Sequence, residues 1–361
     1  MYKFKFSKIL IMVLSAINMT AVAWAMEKPV TLVDQGSFAA GGTVTKVMGN
    51  FDYSNPTNPP GQTLHGDHAY VFYQIPAQAH KYPLIFLHGS GQFKRTWETT
   101  PDGRDGFQNI FLGRNYSIYL VDQPRRGEAG RSTDGGSAVS VPDELLWFNN
   151  FRLGKNESFY KDVEFPQDKS SLEQFYRQMT PDTGRYDAEV ISDAVAKVFE
   201  RSGEGILVTH SQGGGIGWFA AVKTDKIKGI VAFEPGSGFV FPEKAMPEAL
   251  ETTSPFGALK GEKISDSDFA KLTRIPIVIY YGDNIPLEPT DDWNEDNWRV
   301  RLQMAKIWAK TVNEYGGDVT VIHLPSIGIK GNTHFMFADL NNVDIANLME
   351  SWLHEKSLDK Y

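Results

Sequence analysis

Six short, nearly continuous apolar runs set the tightest limit on what this 361-residue chain can fold into. Residues 82–88, 116–122, 205–209, 227–234, 275–281 and 319–324 lack the polar alternation of a strand with one wet face. Runs of this kind read as strands buried on both sides, as in a parallel sheet covered by helices. Helical patterns alternate with them at 187–201, 216–222, 294–315 and 343–355. The alternation predicts an α/β fold, a mostly parallel central sheet with helices on both faces. Ligands of such a sheet sit at the carboxyl ends of its strands. Three earlier runs, 30–38, 43–49 and 68–75, are β-branched or alternating and predict an antiparallel entry to the same sheet.

Residues 1–25 carry Lys3, Lys5 and Lys8, then an apolar run from Ile9 to Leu14 that weakens towards Val22, then Ala23-Trp24-Ala25. This predicts a secretory signal peptide and a periplasmic or secreted mature chain. Ser15, Asn18 and Thr20 interrupt the run, and no later stretch reaches membrane length, so no membrane association is expected after cleavage. Residues 26–361 form one large domain on this reading, long enough to carry insertions. Two stretches, 135–185 and 236–274, exceed ordinary strand-to-helix connections and predict cap-like or lid insertions. Trp147, Phe148, Phe239 and Phe335 are candidates for an apolar substrate pocket; aromatics of the first stretch could equally form that insertion's own small core.

The formal charge of −8 argues against nucleic acid or anionic membrane as partners. The absence of cysteine removes thiol nucleophiles, disulfides and thiolate metal sites. His65-Gly66-Asp67-His68 lacks a third spaced ligand and reads as a solvated turn, so neither metal nor organic cofactor is expected. Partner expectations reduce to a small molecule, with a homodimer left open.

The chemistry-bearing residues lie where apolar runs end. Gly205-Ile206-Leu207-Val208-Thr209 empties into His210-Ser211-Gln212-Gly213-Gly214-Gly215, after which a helical pattern begins. A strand that turns abruptly into a helix holds the residue at the bend in a strained conformation and exposes its hydroxyl, which makes Ser211 the candidate nucleophile. The match to G-x-S-x-G is partial, because Thr209 stands where the first glycine belongs. His88-Gly89-Ser90-Gly91 ends another apolar run, and its glycines would let the chain fold back so that a backbone N–H points into a cavity. A serine nucleophile needs an imidazole base and an acid that fixes its tautomer. Of the later histidines, His323 lies inside a strand and His354 near the end of the last helix. His334 sits in the polar turn Lys330-Gly331-Asn332-Thr333-His334-Phe335, free to reach the sheet edge. Two acids follow apolar strands, Glu234 before Pro235-Gly236 and Asp283 in Gly282-Asp283-Asn284, and chain order does not choose between them.

His88-Gly89, Asp122 with Arg126-Gly127, the Ser211 turn, Gly282-Asp283 and Gly331-Asn332-Thr333-His334 together resemble the α/β-hydrolase superfamily over nearly the whole mature chain. Within it, Asp122-Gln123-Pro124-Arg125-Arg126-Gly127, Thr209-His210-Ser211-Gln212-Gly213-Gly214, Phe233-Glu234-Pro235-Gly236 and the run from His334 to Asn341 resemble the bacterial esterase 713-like group. The resemblance implies a serine hydrolase of carboxylic esters that works through an acyl-enzyme, with Ser211, His334 and Glu234 as triad and backbone N–H groups of Ser90 and Gln212 as oxyanion donors. The more usual acid position of the superfamily, two residues past the Gly-Asp pair, is Ile285 here. Where the group's type member has adjacent cysteines after its His-Gly turn, this chain has Ser90-Gly91. Asp122 and Arg126 read as a structural ion pair. A lactonase or amidase with the same triad is the alternative reading, and a non-catalytic binding protein on this scaffold a more distant one.

Overall fold

The computed structural model describes residues 29–361 except 137 and 139, so the signal peptide expected at 1–25 lies outside the described residues. Eight strands make one sheet: β1 (Leu32–Lys46), β2 (Thr63–Pro76), β3 (Leu84–Leu87), β4 (Ile118–Asp122), β5 (Gly205–His210), β6 (Ile227–Phe233), β7 (Pro276–Tyr281) and β8 (Asp318–His323). Their order across the sheet is β1-β2-β4-β3-β5-β6-β7-β8. β2 pairs antiparallel with β1 and β4, and every other neighbour is parallel. The antiparallel entry differs from expectation in one respect. Runs 30–38 and 43–49 form a single strand, because Gly41 and Gly42, at φ 69° and 100°, bend the chain without breaking its ladder to His68 and Gly66.

The apolar runs are buried on both faces. Ile85, Leu87, Leu207, Ile277 and Ile279 join one core with α4 (Ala188–Ser202), α5 (Gln212–Lys223), α6 (Asp266–Leu272) and α7 (Trp293–Glu314). Leu84, Phe86, Ile206, Val208 and Val278 face the other core, with α1 (Phe107–Gly113), α2 (Glu144–Asn150), α3 (Lys169–Tyr176) and α8 (Asn342–Glu355). In α4 the residues Ile191, Ala194, Val195, Val198 and Phe199 make one apolar stripe, and Asp187 caps the helix by accepting from the N–H groups of Glu189 and Val190. Helices α1, α2, α3 and α6 have only seven or eight residues, too few for their periodicity to stand out in the sequence.

The two long connections behave differently. The first holds α2, α3 and the short antiparallel pair Gly154–Lys155 and Ser158–Phe159. At its two ends the second sends Phe239, Val240, Phe241, Phe269 and Leu272 into the main core. Among the described residues no helix is long and apolar enough to cross a membrane.

Candidate active site

Ser211 lies between the end of β5 and the start of α5 with φ 54° and ψ −122°, a strained setting for a residue with a side chain. Neighbouring strand ends hold it there. Its N–H donates to Phe233 O at 2.9 Å, and its carbonyl accepts from Gly214 and Gly236 at 3.0 Å each. The glycines around it answer to close approach: a Cβ at Gly213 would stand 2.6 Å from His88 O, and one at Gly89 would stand 2.6 Å from Ser211 Cβ. Thr209 is tolerated in place of the first glycine for a related reason. Its methyl occupies space left by Gly217 in α5, where a Cβ would stand 3.0 Å from Thr209 Cγ2.

Glu234 follows β6 with φ 47° and is fully buried. Its N–H donates to Tyr280 O at 2.8 Å, which aims the side chain across the strand ends. Oε2 lies 2.5 Å from His334 Nδ1, and Oε1 accepts from Gly282 N–H at 2.7 Å and from the guanidinium of Arg152. A carboxylate can only accept, so His334 carries its proton on Nδ1. Nε2 is buried and meets no partner among the described residues. Ser211 Oγ does not hydrogen-bond it in this structure, and contacts of this kind commonly tighten only when substrate is bound. The imidazole packs between Phe151 and Trp298, at ring distances of 4.8 and 4.3 Å, and both of those residues line the cavity that holds Ser211. Burial first, then the charges of Arg152 and Arg301, hold the His334 pKa well below the ordinary 6.5.

The loop carrying His334 is fixed from within. Buried Asp339 accepts from the N–H and hydroxyl of Thr333 at 2.7 and 2.8 Å and from Asn332 Nδ2 at 3.1 Å. Asp283 accepts from Gly331 N–H and Asn284 N–H, both at 2.7 Å, so this carboxylate serves the loop and does not meet the imidazole.

The peptide between Gly89 and Ser90 is also oriented. Arg126 Nη1 and His88 Nδ1 both bond the carbonyl of Gly89, at 2.8 and 2.9 Å. A trans peptide directs its N–H opposite to its carbonyl, so these two donors turn the Ser90 N–H the other way. The N–H groups of Ser90 and Gln212 have no backbone acceptor among the described residues. Gln212 also begins α5, where the first N–H groups lack helical acceptors. Burial lowers the His88 pKa to about 3, which keeps that ring neutral with Nε2 accepting from Gln123 N–H at 3.1 Å.

Ser90, Ser211, Gln212, Trp147 and Arg301 share the wall of a cavity of about 280 Å³. A larger recess of about 610 Å³ adjoins it across Trp147. Three pocket expectations are corrected. Phe148 packs against Phe159 inside the first excursion, Phe239 lies in the core against Trp308, and Phe335 is walled in by Phe151, Phe175 and His210. Each is at most 2% exposed and lines neither recess. The ion pair expected between Asp122 and Arg126 is absent too: Asp122 accepts from the N–H groups of Lys94 and Glu128, while Arg126 pairs with Asp182.

The alpha/beta hydrolase family model matches residues 84–346, nearly three quarters of the chain. The chain belongs to the alpha/beta hydrolase family. A solved structure titled as a novel bacterial esterase is 28% identical, covers 91% of this chain and 98% of that one, and superposes with a TM-score of 0.72. A fungal protein described as a "Probable secreted lipase" (Fungal sp.) is 27% identical over 313 residues, 76% of this chain and 82% of its own length. In this alpha/beta hydrolase, reasoning from the sequence missed Arg152, Asp339 and the setting of Arg126. Arg152 gave no signal, since its full burial and its φ of 59° depend on the fold of the excursion.

Proposed function

We propose that this hydrolase is a secreted carboxylic ester hydrolase working through Ser211, His334 and Glu234. The observation that carries the reading is the His334 imidazole, held by Glu234 at Nδ1 and bare at Nε2, packed on Phe151 and Trp298, which line the cavity of a serine in a strained turn. Ser211 Oγ attacks the acyl carbon as Nε2 takes its proton, and Glu234 stabilises the imidazolium formed. The oxyanion is met by the N–H groups of Ser90 and Gln212. His334 then returns the proton to the departing alcohol, leaving an acyl-enzyme on Ser211. Water repeats the sequence, giving the free acid and restoring the serine. A lactone or amide could enter the same cycle, because attack at an acyl carbon does not depend on the leaving atom. The relative described as a secreted lipase supports export.

The test is fluorophosphonate labelling and turnover of neutral 4-nitrophenyl esters by folded protein. Ser211→Ala should abolish labelling and lower kcat by several orders of magnitude, leaving roughly 10³-fold catalysis over water. Glu234→Gln should lower kcat by about 10²- to 10⁴-fold, and Asp283→Asn by less than about tenfold. Labelling that persists without Ser211, or a larger loss from Asp283→Asn, overturns the assignment.

A further inference from the structure

Arg301 stands in the wall of the cavity that holds Ser211 with its charge uncommitted. Only its Nη1 is bonded, to Asn297 O at 2.6 Å and to Asn297 Oδ1, and its guanidinium lies 5.4 Å from the centroid of the Trp298 ring. Neighbouring arginines differ: Arg299 pairs with Asp296, Arg152 with Glu234 and Arg126 with Asp182. Arg301 is in no ion pair among the described residues, and no carboxylate lines the cavity. Arg301 is half-buried, and withdrawing part of a guanidinium from water without a counter-charge costs free energy; this desolvation depresses its pKa to about 10, still charged at neutral pH. The way from this charge to the nucleophile is open. A Cβ at Gly236 would stand 3.7 Å from Ser211 Oγ and 3.8 Å from Arg301 Nε, so both groups border the space that one methyl would fill. Gly236 does not take a left-handed φ, so nothing in its backbone calls for glycine; its effect is to leave that space empty.

We propose that Arg301 is an anion subsite, and that the substrate is an ester bearing a carboxylate a few bonds from its scissile carbonyl. The proposal rests on Ser211 being the nucleophile. On an acidic protein that repels anions in general, one free guanidinium beside the reacting serine would supply the counter-charge such a substrate needs. A carboxylate could lie on the acyl or the alcohol side, and the chemistry at Arg301 is the same.

Matched ester pairs test this with the wild-type enzyme, Arg301→Gln and Arg301→Lys. The acyl arm compares mono-(4-nitrophenyl) glutarate with 4-nitrophenyl valerate, and the alcohol arm compares 3-carboxyphenyl butyrate with phenyl butyrate. The ratio of kcat/KM within a pair cancels the influence of Arg301 on His334, which both substrates share. Arg301→Gln should lower the ratio in one arm by about tenfold or more, chiefly through KM, as expected for losing a charged hydrogen bond. Arg301→Lys should recover part of it. If Ser211 is labelled normally but neither ratio changes in Arg301→Gln, the anion subsite is overturned and the hydrolase reading stands. Failure of Ser211 to label overturns that reading instead.

Discussion

Arg152 brings a buried positive charge to one oxygen of Glu234 while His334 holds the other. The carboxylate is thereby shared, and less of its field remains to favour imidazolium. A histidine base in ordinary surroundings would give an acid limb at about pH 6.5. Here burial lowers the His334 pKa, and Arg152 and Arg301 lower it further, so kcat/KM should stay high until well below that point. Replacing Arg152 by Gln should move the limb towards higher pH, since one of the opposing charges is gone. The check is a kcat/KM profile on a neutral ester whose chemistry limits the rate, measured on folded protein. A limb that stays put, or moves down, would deny Arg152 this role. Nothing in the sequence pointed to Arg152, since it lies in a polar-aromatic stretch whose burial is decided by residues far away in the chain.

At the scale of elements, the legible parts were those where one short segment contains its own cause. The apolar runs, the bend at Ser211 and the polar turn holding His334 could be read directly, because unbroken hydrophobicity and glycine placement are local. Which carboxylate meets His334 was not local. It depends on β6 and β7 setting Glu234 under the imidazole while Asp283 turns to Gly331. The substitution of Thr209 for the usual glycine is a further pairwise matter, settled by Gly217 in α5. A double-mutant cycle measures it. Gly217→Ala alone combines a gain in helix propensity with crowding against the Thr209 methyl. In a Thr209→Ser background the tighter contact is removed and only Leu207 Cδ2 at 3.4 Å remains, so Gly217→Ala should be more favourable there by about 1 kcal/mol. Additive denaturant midpoints would mean that the two side chains do not share this space.

Over the whole molecule, three histidines are buried with lowered pKa values: His88, His210 and His334. On acidification the unfolded chain takes up these protons first, so stability is full above about pH 6.5 and declines below it. At about pH 5.5 His88, whose folded pKa is about 3, should contribute a loss of about 1.4 kcal/mol, and His210 and His334 act in the same direction. Asp339 works the other way. Its folded pKa is raised to about 6, so its stabilisation is present at low pH and fades as pH rises from about 4 to 6, offsetting a small part. Thermal or urea unfolding between pH 7.5 and 5.5 should show a clear net decline, and a flat curve would mean these rings are not buried neutral. The excursion at 135–185 has a related consequence for how such enzymes diversify. Because it delivers Arg152 to Glu234, it is not an interchangeable module that can be grafted or trimmed while the scaffold stays indifferent. A chimera receiving another relative's insertion inherits a buried Glu234 stripped of its arginine counterion unless the arginine travels with the graft, so shuffling at this boundary is constrained by one electrostatic bond.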